Sequence, residues 1–432
     1  MNTTIGIHER PPAIQSLLLS LQHLFAMFGS TVLVPNIFKV DPAICLLMNG
    51  IGTLLYILVT KGKIPAYLGS SFAFLGPAGA VIASEASGGG YAAALGGFIA
   101  AGVIFTLVGF IIQVAGTKWI NVVFPPAAMG AIVAIIGLEL MPVAAGMAGW
   151  IPTSLDDPKT WVMNTDVVIL SVSTLAVTVL GSVLFRGFMR IIPILFGILF
   201  GYTLAYFMGM TDFSNLDKAN FIQLPTVTFP EFHWAAIIAI APAALVVIVE
   251  HIGHLIVTGN IVGKDLSKDP GLHRSMLGNG ISTLLSGFVG STPNTTYGEN
   301  IGVLAITRVY STFVIGGAAV IAILLSFSGK FSALISAIPG PVMGGVSLLL
   351  FGVIAASGFR MLVESKVDYS KPTNLFLTTV VLVIGLSGVK LTLGEVSFHG
   401  MSLATIVAIV LSLLFKVFEV LKLSNDTEAS GH

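Results

Sequence analysis

The fold class that the sequence predicts is an all-α polytopic membrane protein. Hydrophobic residues make up 55% of the 432 residues, Asp, Glu, Lys and Arg together make up only 9%, and the mean hydropathy is +0.97. Soluble domains carry roughly 25% charged residues. Uncharged runs long enough to span a bilayer recur from one end of the chain to the other. Because the formal net charge is zero, nothing indicates a nucleic-acid partner.

These runs predict about 14 transmembrane segments, which we number in chain order. They are residues 13–36, 43–60, 64–84, 92–116, 120–145, 166–185, 190–210, 233–258, 273–290, 293–307, 309–328, 331–358, 372–389 and 400–421. Proline and glycine break segment 3 twice, and segment 10 begins with proline followed by turn-forming and extended-chain residues. We expect both to be broken, partly extended and partly helical.

Segment 10 belongs to a stretch that runs from Gly290 to Arg308 between two apolar runs. Pro293 lacks a backbone N–H and disfavours helix in the residue before it. Irregular backbone at membrane depth is tolerated only where it is buried in protein or lines a cavity. An ionisable side chain at that depth, here Glu299, indicates a functional site. A surface loop joining two helices is the alternative interpretation.

Two internal matches indicate that the chain consists of two halves. Phe124–Gly130 matches Ile338–Gly344, and Gly69–Ser71 matches Gly290–Thr292, with similar separations. A repeat of seven segments is odd, so the second half must insert upside down. This 7+7 inverted repeat is typical of secondary transporters, whose sites lie near the midplane where paired broken helices meet.

The distribution of basic residues predicts the orientation. With the N-terminus inside, 15 of the 20 Lys and Arg residues lie on the cytoplasmic side, which is a clear positive-inside bias. Both termini are therefore predicted to be cytoplasmic, and the tail 424–432 is predicted to be disordered. The single cysteine, Cys45, excludes an internal disulfide. No cleavable signal peptide is expected.

Segment 8 carries the motif Glu250–His254 inside an apolar helix. Glu250 and His254 share one face, whereas His251 is turned about 100° away. Since burial disfavours a charged carboxyl group, its neutral and charged states can be close in energy near pH 7. Such a group can take up a proton on one side of the membrane and release it on the other. A Glu–His pair that only ties helices together remains an alternative, as does zinc binding with Glu299, although no cysteine assists.

Two other segments contain candidate supporting residues. Gln22 and His23 lie in an apolar stretch of segment 1, where a buried amide and imidazole need partners. They either support the site or merely bridge helices. In segment 3, Phe72 could form an aromatic wall, although a lone Phe is more often ordinary core.

Several motifs together carry a family resemblance. Glu299–Arg308 fits the signature [Gln/Glu/Pro]-Asn-x-Gly-x-x-x-x-Thr-[Arg/Lys/Gly] in full, and Gln22–His23 matches a first-segment Gln-His pair. The sequence therefore resembles the nucleobase–ascorbate transporter (nucleobase–cation symporter) family over about residues 9 to 422. The segments around Lys63–Phe74 and Glu250–His254, with Glu at the first signature position, resemble its bacterial uracil permease branch.

The resemblance implies a division into two domains and short antiparallel strands in segments 3 and 10. The core domain would comprise residues 1–118 and 232–329, holding segments 1–4 and 8–11. The gate domain would comprise residues 119–231 and 330–423, holding segments 5–7 and 12–14. It further implies proton-coupled import of uracil across the bacterial cytoplasmic membrane, with the proton as coupling ion and no cofactor. A homodimer through the gate domains would follow within the lipid bilayer.

The resemblance also assigns roles to residues. Substrate binding is assigned to Phe72, Glu250, Tyr297, Gly298 and Glu299, proton coupling to Glu250 and His254, and support to Gln22, His23 and Asn300. Uracil offers two N–H donors and two carbonyl acceptors. The two Glu side chains would take the N–H groups, and backbone N–H groups of Phe72 and Gly298 would donate to the carbonyls. Phe351 departs from close relatives that can carry Tyr.

Other functions are kept open. A purine or xanthine proton symporter shares the fold, so only the site residues discriminate. A transporter of inorganic anions would usually carry an appended soluble domain. A membrane-embedded enzyme using Glu250, His254 and Glu299 is a remote alternative, and a passive channel is disfavoured because pocket carboxylates suggest binding followed by occlusion.

Overall fold

Helices dominate the protein. The structure is a computed structural model that describes residues 4–84, 90–153, 156–157, 159–394 and 396–425. The helices are α1 (Ala13–Ala26), α2 (Phe28–Phe38), α3 (Pro42–Val59), α4 (Leu75–Ala83), α5 (Tyr91–Ala115), α6 (Ile120–Val123), α7 (Pro126–Met147), α8 (Thr165–Leu184), α9 (Pro193–Phe207), α10 (Ser214–Lys218), α11 (Trp234–Val262), α12 (Leu272–Val289), α13 (Gly298–Thr307), α14 (Thr312–Ser326), α15 (Gly329–Ser336), α16 (Gly340–Glu364), α17 (Pro372–Leu386) and α18 (Gly400–Val420). The strands are β1 (Leu68–Ser70), β2 (Asn294–Thr296), β3 (Lys390–Leu393) and β4 (Val396–His399).

The described residues include eight helices that are long and apolar enough to cross a membrane, counting α1 with α2 as one. A ninth results if α14 and α15, which meet at a 90° bend, are counted as one span. Apolar side chains such as Val114, Val183 and Phe207 are more than three-quarters exposed. Exposure of this kind suits a lipid environment, and the protein is a multi-pass membrane protein.

Several helices start where the sequence supplies a cap. Asp41 precedes α3 and accepts a hydrogen bond from the Ala43 N–H at 3.0 Å, with Pro42 as first helical residue. Asn164 caps α8 in the same way. These residues satisfy N–H groups that a helix start leaves without partners, so the helix boundaries follow from local sequence.

The most extensive helix packing is between α7 and α16. Helix α5 packs against α12 and α3 packs against α14. At the α7–α16 crossing a Cβ on Gly137 would lie 2.1 Å from the backbone oxygen of Phe351. Only a residue without a side chain permits this approach, as is common where membrane helices pack closely.

The strands β1 and β2 form an antiparallel pair in the interior, with Leu68 opposite Thr296 and Ser70 opposite Asn294. β1 lies within the third predicted segment and β2 within the tenth. Each is followed by a helix, α4 and α13 respectively, and every strand residue is buried. The pairing supplies partners for backbone groups that would otherwise be unsatisfied at membrane depth.

One predicted segment is wrong in detail, and one pair of strands was not predicted. Residues 331–358 were expected to form one segment, yet the structure ends α15 at Ser336 and starts α16 at Gly340, with Pro339 as the cap between them. Proline removes an N–H and restricts the residue before it, which explains the break. The hairpin β3–β4 was not predicted; its strands are only four residues long, although both alternate between polar and apolar residues. Most of the predicted disordered tail, residues 426–432, lies outside the described residues.

Candidate functional site

The candidate site is built around the antiparallel pair of strands β1 and β2. Beyond the paired residues, the Ser71 N–H donates to the Pro293 oxygen at 2.9 Å and the Tyr297 N–H donates to the Tyr67 oxygen at 3.0 Å. Because the strands are antiparallel, α4 and α13 leave from opposite ends of the pair. The first residues of these two half-helices, with their unpaired N–H ends, are therefore presented inside the protein.

Tyr297 lies across the strand pair. Its hydroxyl group donates a hydrogen bond to the Ser70 backbone oxygen at 2.9 Å, and the residue is only 3% exposed. A Cβ added to Gly69 would come within 2.2 Å of its ring. The structure thus shows Tyr297 packing on β1, and its predicted contact with substrate stays a prediction.

His254 lies below the start of α13. Its Nδ1 atom is 3.1 Å from the Thr296 hydroxyl oxygen. A Cβ on Gly298 would lie 3.4 Å from its Nε2 atom. The structure therefore brings His254 and Gly298 together as two of the predicted site residues, and it anchors His254 to β2 through Thr296, a partner that sequence reasoning did not assign.

Glu250 and Glu299 come from different elements, α11 and the first turn of α13, and both are half-buried. The two elements pack against each other. Glu250 is one helical turn from His254, on the same face of α11. A carboxyl group in the first turn of α13 is favoured by the helix dipole. The two candidate carboxylates therefore share one region of the protein interior.

Phe72 lies just after the end of β1. It opens a short 3₁₀ turn between β1 and α4, and it is buried. Its ring lies 5.6 Å from that of Phe351, at an interplanar angle of 85°. This edge-to-face contact joins segment 3 to α16, which belongs to the predicted gate domain.

The predicted supporting residues divide into two groups. The Asn300 amide donates to the His23 backbone oxygen at 3.0 Å and lies 3.2 Å from His23 Nδ1, and both residues are 1% exposed. These bonds tie α13 to α1. The Gln22 side-chain oxygen is buried without a hydrogen-bond partner among the described residues. His23 and Asn300 thus act together, whereas Gln22 offers an acceptor to a ligand or water.

Two buried polar groups near the site were not assigned from the sequence. His251 Nε2 lies 2.7 Å from the Ser275 hydroxyl oxygen, which in turn lies 2.6 Å from the Tyr56 hydroxyl oxygen. Glu139 of α7 accepts a hydrogen bond from the Met401 N–H at 2.7 Å, at the start of α18. Glu139 was visible in the sequence as a carboxylate within an apolar segment, which is the signal that could have found it.

The chemistry available is recognition of a small polar ring. Two carboxyl groups can accept or share protons, two half-helix starts can donate N–H groups, and Phe72 offers an apolar face. Within the described part of the chain, no three His, Cys, Asp or Glu side chains are grouped so that they could hold a metal ion.

The sequence matches the model of the Permease family over residues 14–394. A protein of Escherichia coli K12 called uracil permease is 63% identical over 418 residues, covering 97% of this chain and 95% of its own. A uracil permease of Paenibacillus larvae is 61% identical, covering 98% of this chain and 99% of its own. That of Bacillus subtilis is 45% identical and covers 95% and 94%.

Solved structures of membrane transporters share the fold at low sequence identity. The transmembrane domain of the cyanobacterial bicarbonate transporter BicA has a TM-score of 0.62 at 16% identity, covering 95% of this chain and 98% of its own. The structure of SLC26A9 has a TM-score of 0.68 at 12% identity. This chain is covered to 94% and spans 65% of the length of that structure. At such identities the likeness concerns the fold alone.

Proposed function

The chain belongs to the nucleobase–ascorbate transporter family, in its uracil permease branch, and from this premise we propose that it imports uracil by proton-coupled symport. The family and the relatives named above are permeases, so the protein is a transporter and not an enzyme. The observation that carries the proposal is the packing of α11, with Glu250 and His254, against the start of α13, with Gly298 and Glu299, beside the β1–β2 pair. The names and high identities of the uracil permeases support the choice of substrate.

The proposed contacts match the donors and acceptors of uracil. Glu250 and Glu299 accept the two ring N–H groups, while the N–H groups of Phe72 and Gly298 donate to the ring carbonyls. Phe72 forms one wall of the site. Tyr297, which follows β2 and packs against β1, forms the other wall. Bonds to charged acceptors are about twice as strong as neutral ones, so the Glu299 carboxylate would provide the strongest polar contact. Glu250, while it carries the coupled proton, would accept the N–H group through its carbonyl oxygen.

Proton coupling is assigned to Glu250 with His254. Glu250 lies in the long apolar helix α11, which packs against the helix α13 that carries Glu299. His254, whose ring is held by the Thr296 hydroxyl group, places an imidazole one helical turn from Glu250. A proton bound with uracil on one side and released on the other would couple the two movements.

The transport movement that we propose is a displacement of the core domain against the gate domain, in an elevator-like or rocking manner. The fourteen segments would form a 7+7 inverted repeat, with the core in residues 1–118 and 232–329 and the gate in 119–231 and 330–423. The protein would lie in the bacterial cytoplasmic membrane with both termini in the cytoplasm, and two copies would pair through their gates.

The test is uptake of labelled uracil into proteoliposomes, with and without an inward proton gradient, in competition with unlabelled uracil, xanthine and cytosine. We expect uphill accumulation that excess uracil blocks and xanthine does not. Competition by xanthine would instead indicate a purine symporter, and uptake without dependence on the gradient would contradict proton coupling.

Replacing Glu250→Gln should abolish proton-driven accumulation, because the amide cannot bind and release a proton. Exchange of internal against external uracil needs no net proton movement, so it should remain measurable. The matched control is Glu364→Gln, which removes an exposed carboxylate of α16. If the Glu250 variant still accumulates uracil uphill, the coupling role belongs elsewhere.

A further inference from the structure

A cavity of about 300 Å³ lies between α6, the start of α17 and the last turns of α18, and its lining includes none of the candidate site residues. Asn121, Asn374, Ser412, Lys416 and Glu419 are among its lining residues. This volume is at the lower end of the range for small-ligand sites. Its three helices belong to the predicted gate domain, so the cavity is separate from the residues proposed to bind uracil.

Ser412 indicates that the cavity has room for a polar ligand. The residue is only 4% exposed and its hydroxyl group has no hydrogen-bond partner among the described residues. A buried hydroxyl group without a partner is unfavourable, because nothing compensates for its loss of hydration. Ser412, Lys416 and Glu419 recur at the spacing of one helical face, so the hydroxyl and the two charges line the cavity together.

The charges of the cavity are balanced. Lys416 Nζ lies 2.8 Å from Glu419 Oε2, and their side chains are 43% and 66% exposed, so both can reach an additional partner. The start of α17 faces the cavity through Asn374, and a helix start favours negative charge. The cavity therefore offers donors for an anion beside a carboxylate for a cation.

Apolar side chains on the same two helices are exposed next to this polar cavity. Phe376 of α17 is 57% exposed, and Leu413 and Val417 of α18 are 44% and 51% exposed. The cavity thus lies at the end of a bundle whose outer surface suits acyl chains. An amphiphile with a headgroup carrying both charges would satisfy the cavity and the adjacent surface together.

We propose that this cavity binds the headgroup of phosphatidylethanolamine. The phosphate accepts hydrogen bonds from Lys416 and Ser412, and the ammonium group donates to Glu419. Phosphatidylglycerol would place a phosphate near Glu419 without a compensating cation. Phosphatidylcholine carries a cation without N–H donors. Phosphatidylglycerol therefore lacks the cation that would pair with Glu419, and phosphatidylcholine lacks the N–H donors for it.

The experiment measures thermal unfolding of the purified full-length protein with short-chain phosphatidylethanolamine, phosphatidylcholine, phosphatidylglycerol or inorganic phosphate. Native mass spectrometry counts bound lipid in the same samples. We expect phosphatidylethanolamine at saturation to raise the unfolding midpoint by about 2–4 °C and the other two lipids to raise it less. Inorganic phosphate should have no effect.

Two variants test the recognition directly. Glu419→Gln, at an exposed position, should remove the preference for phosphatidylethanolamine over phosphatidylcholine, and Ser412→Ala should weaken both lipids. The control Glu364→Gln breaks a similar exposed pair with Arg360, which does not line the cavity, and should change nothing. Equal effects of all lipids, stronger binding of phosphatidylglycerol, a shift by phosphate alone, or an unchanged preference in Glu419→Gln would each overturn the proposal.

Discussion

The two broken segments share a backbone plan but differ in chemistry. β1 leads through a 3₁₀ turn into α4, whereas β2 leads directly into α13 after one residue. The first carries Phe72, whose ring contacts Phe351 of α16. The second carries Glu299 and Asn300, and its start lies against His254. The two segments thus have the same strand-then-helix geometry, while their side chains differ in chemistry.

This difference indicates why the halves are not interchangeable. A half-helix start offers N–H donors regardless of its sequence, so both segments can donate to a ligand. Acceptors must come from side chains, and only the second segment provides a carboxylate at its helix start. The first segment instead provides an apolar contact to α16 of the predicted gate domain.

The largest effect is expected for Glu299→Gln, which removes the charge that distinguishes the second segment. Trading a charged acceptor for a neutral one should weaken uracil binding by about 1.5–3 kcal/mol, about 10- to 150-fold. Calorimetry or competition binding would measure it. The control is Gly302→Ala on the same helix, where an added Cβ has no atom within 4 Å. Unchanged binding in Glu299→Gln would show that this carboxylate does not contact the ring.

A somewhat smaller effect is expected for Gly69→Ala, which disturbs the strand pair on which both segments depend. The new Cβ would lie 2.2 Å from the Tyr297 ring, so we expect a loss of about 1–3 kcal/mol in the free energy of unfolding. Gly79→Ala in α4 is the matched control, since nothing lies within 4 Å of its Cβ. Tyr297→Ala should cost less stability in the Gly69→Ala background than in the native protein, and equal costs in the two backgrounds would contradict the packing argument.

The smallest effect is expected for the contact that distinguishes the first segment. A double-mutant cycle of Phe72→Leu and Phe351→Leu should give a coupling of about 0.5–1.5 kcal/mol in unfolding free energy. Denaturant or thermal unfolding of the four proteins measures it. A coupling near zero would mean that the two rings are neighbours without stabilising the contact between the predicted domains.

Sequence reasoning located the candidate site better than it described the surroundings. The positions of the broken segments followed from proline and turn residues, and His23 with Asn300 proved to be bonded partners. The match of Gly69–Ser71 with Gly290–Thr292 was less informative, because Gly69 lies within β1 whereas Gly290 to Thr292 precede β2. Such short motifs recur by chance. The partners Thr296 and Phe351 come from distant contacts that no local pattern specifies.

What the sequence by itself determined is the membrane class, the family, the two broken segments and the residue types available for recognition. Hydropathy and backbone chemistry act locally, so they can be read along the chain. Only the tertiary structure decided the register of β1 on β2, the packing of Tyr297 on Gly69 and the contact of Phe72 with Phe351. These depend on groups separated by more than 200 residues, and their positions result from the packing of whole helices.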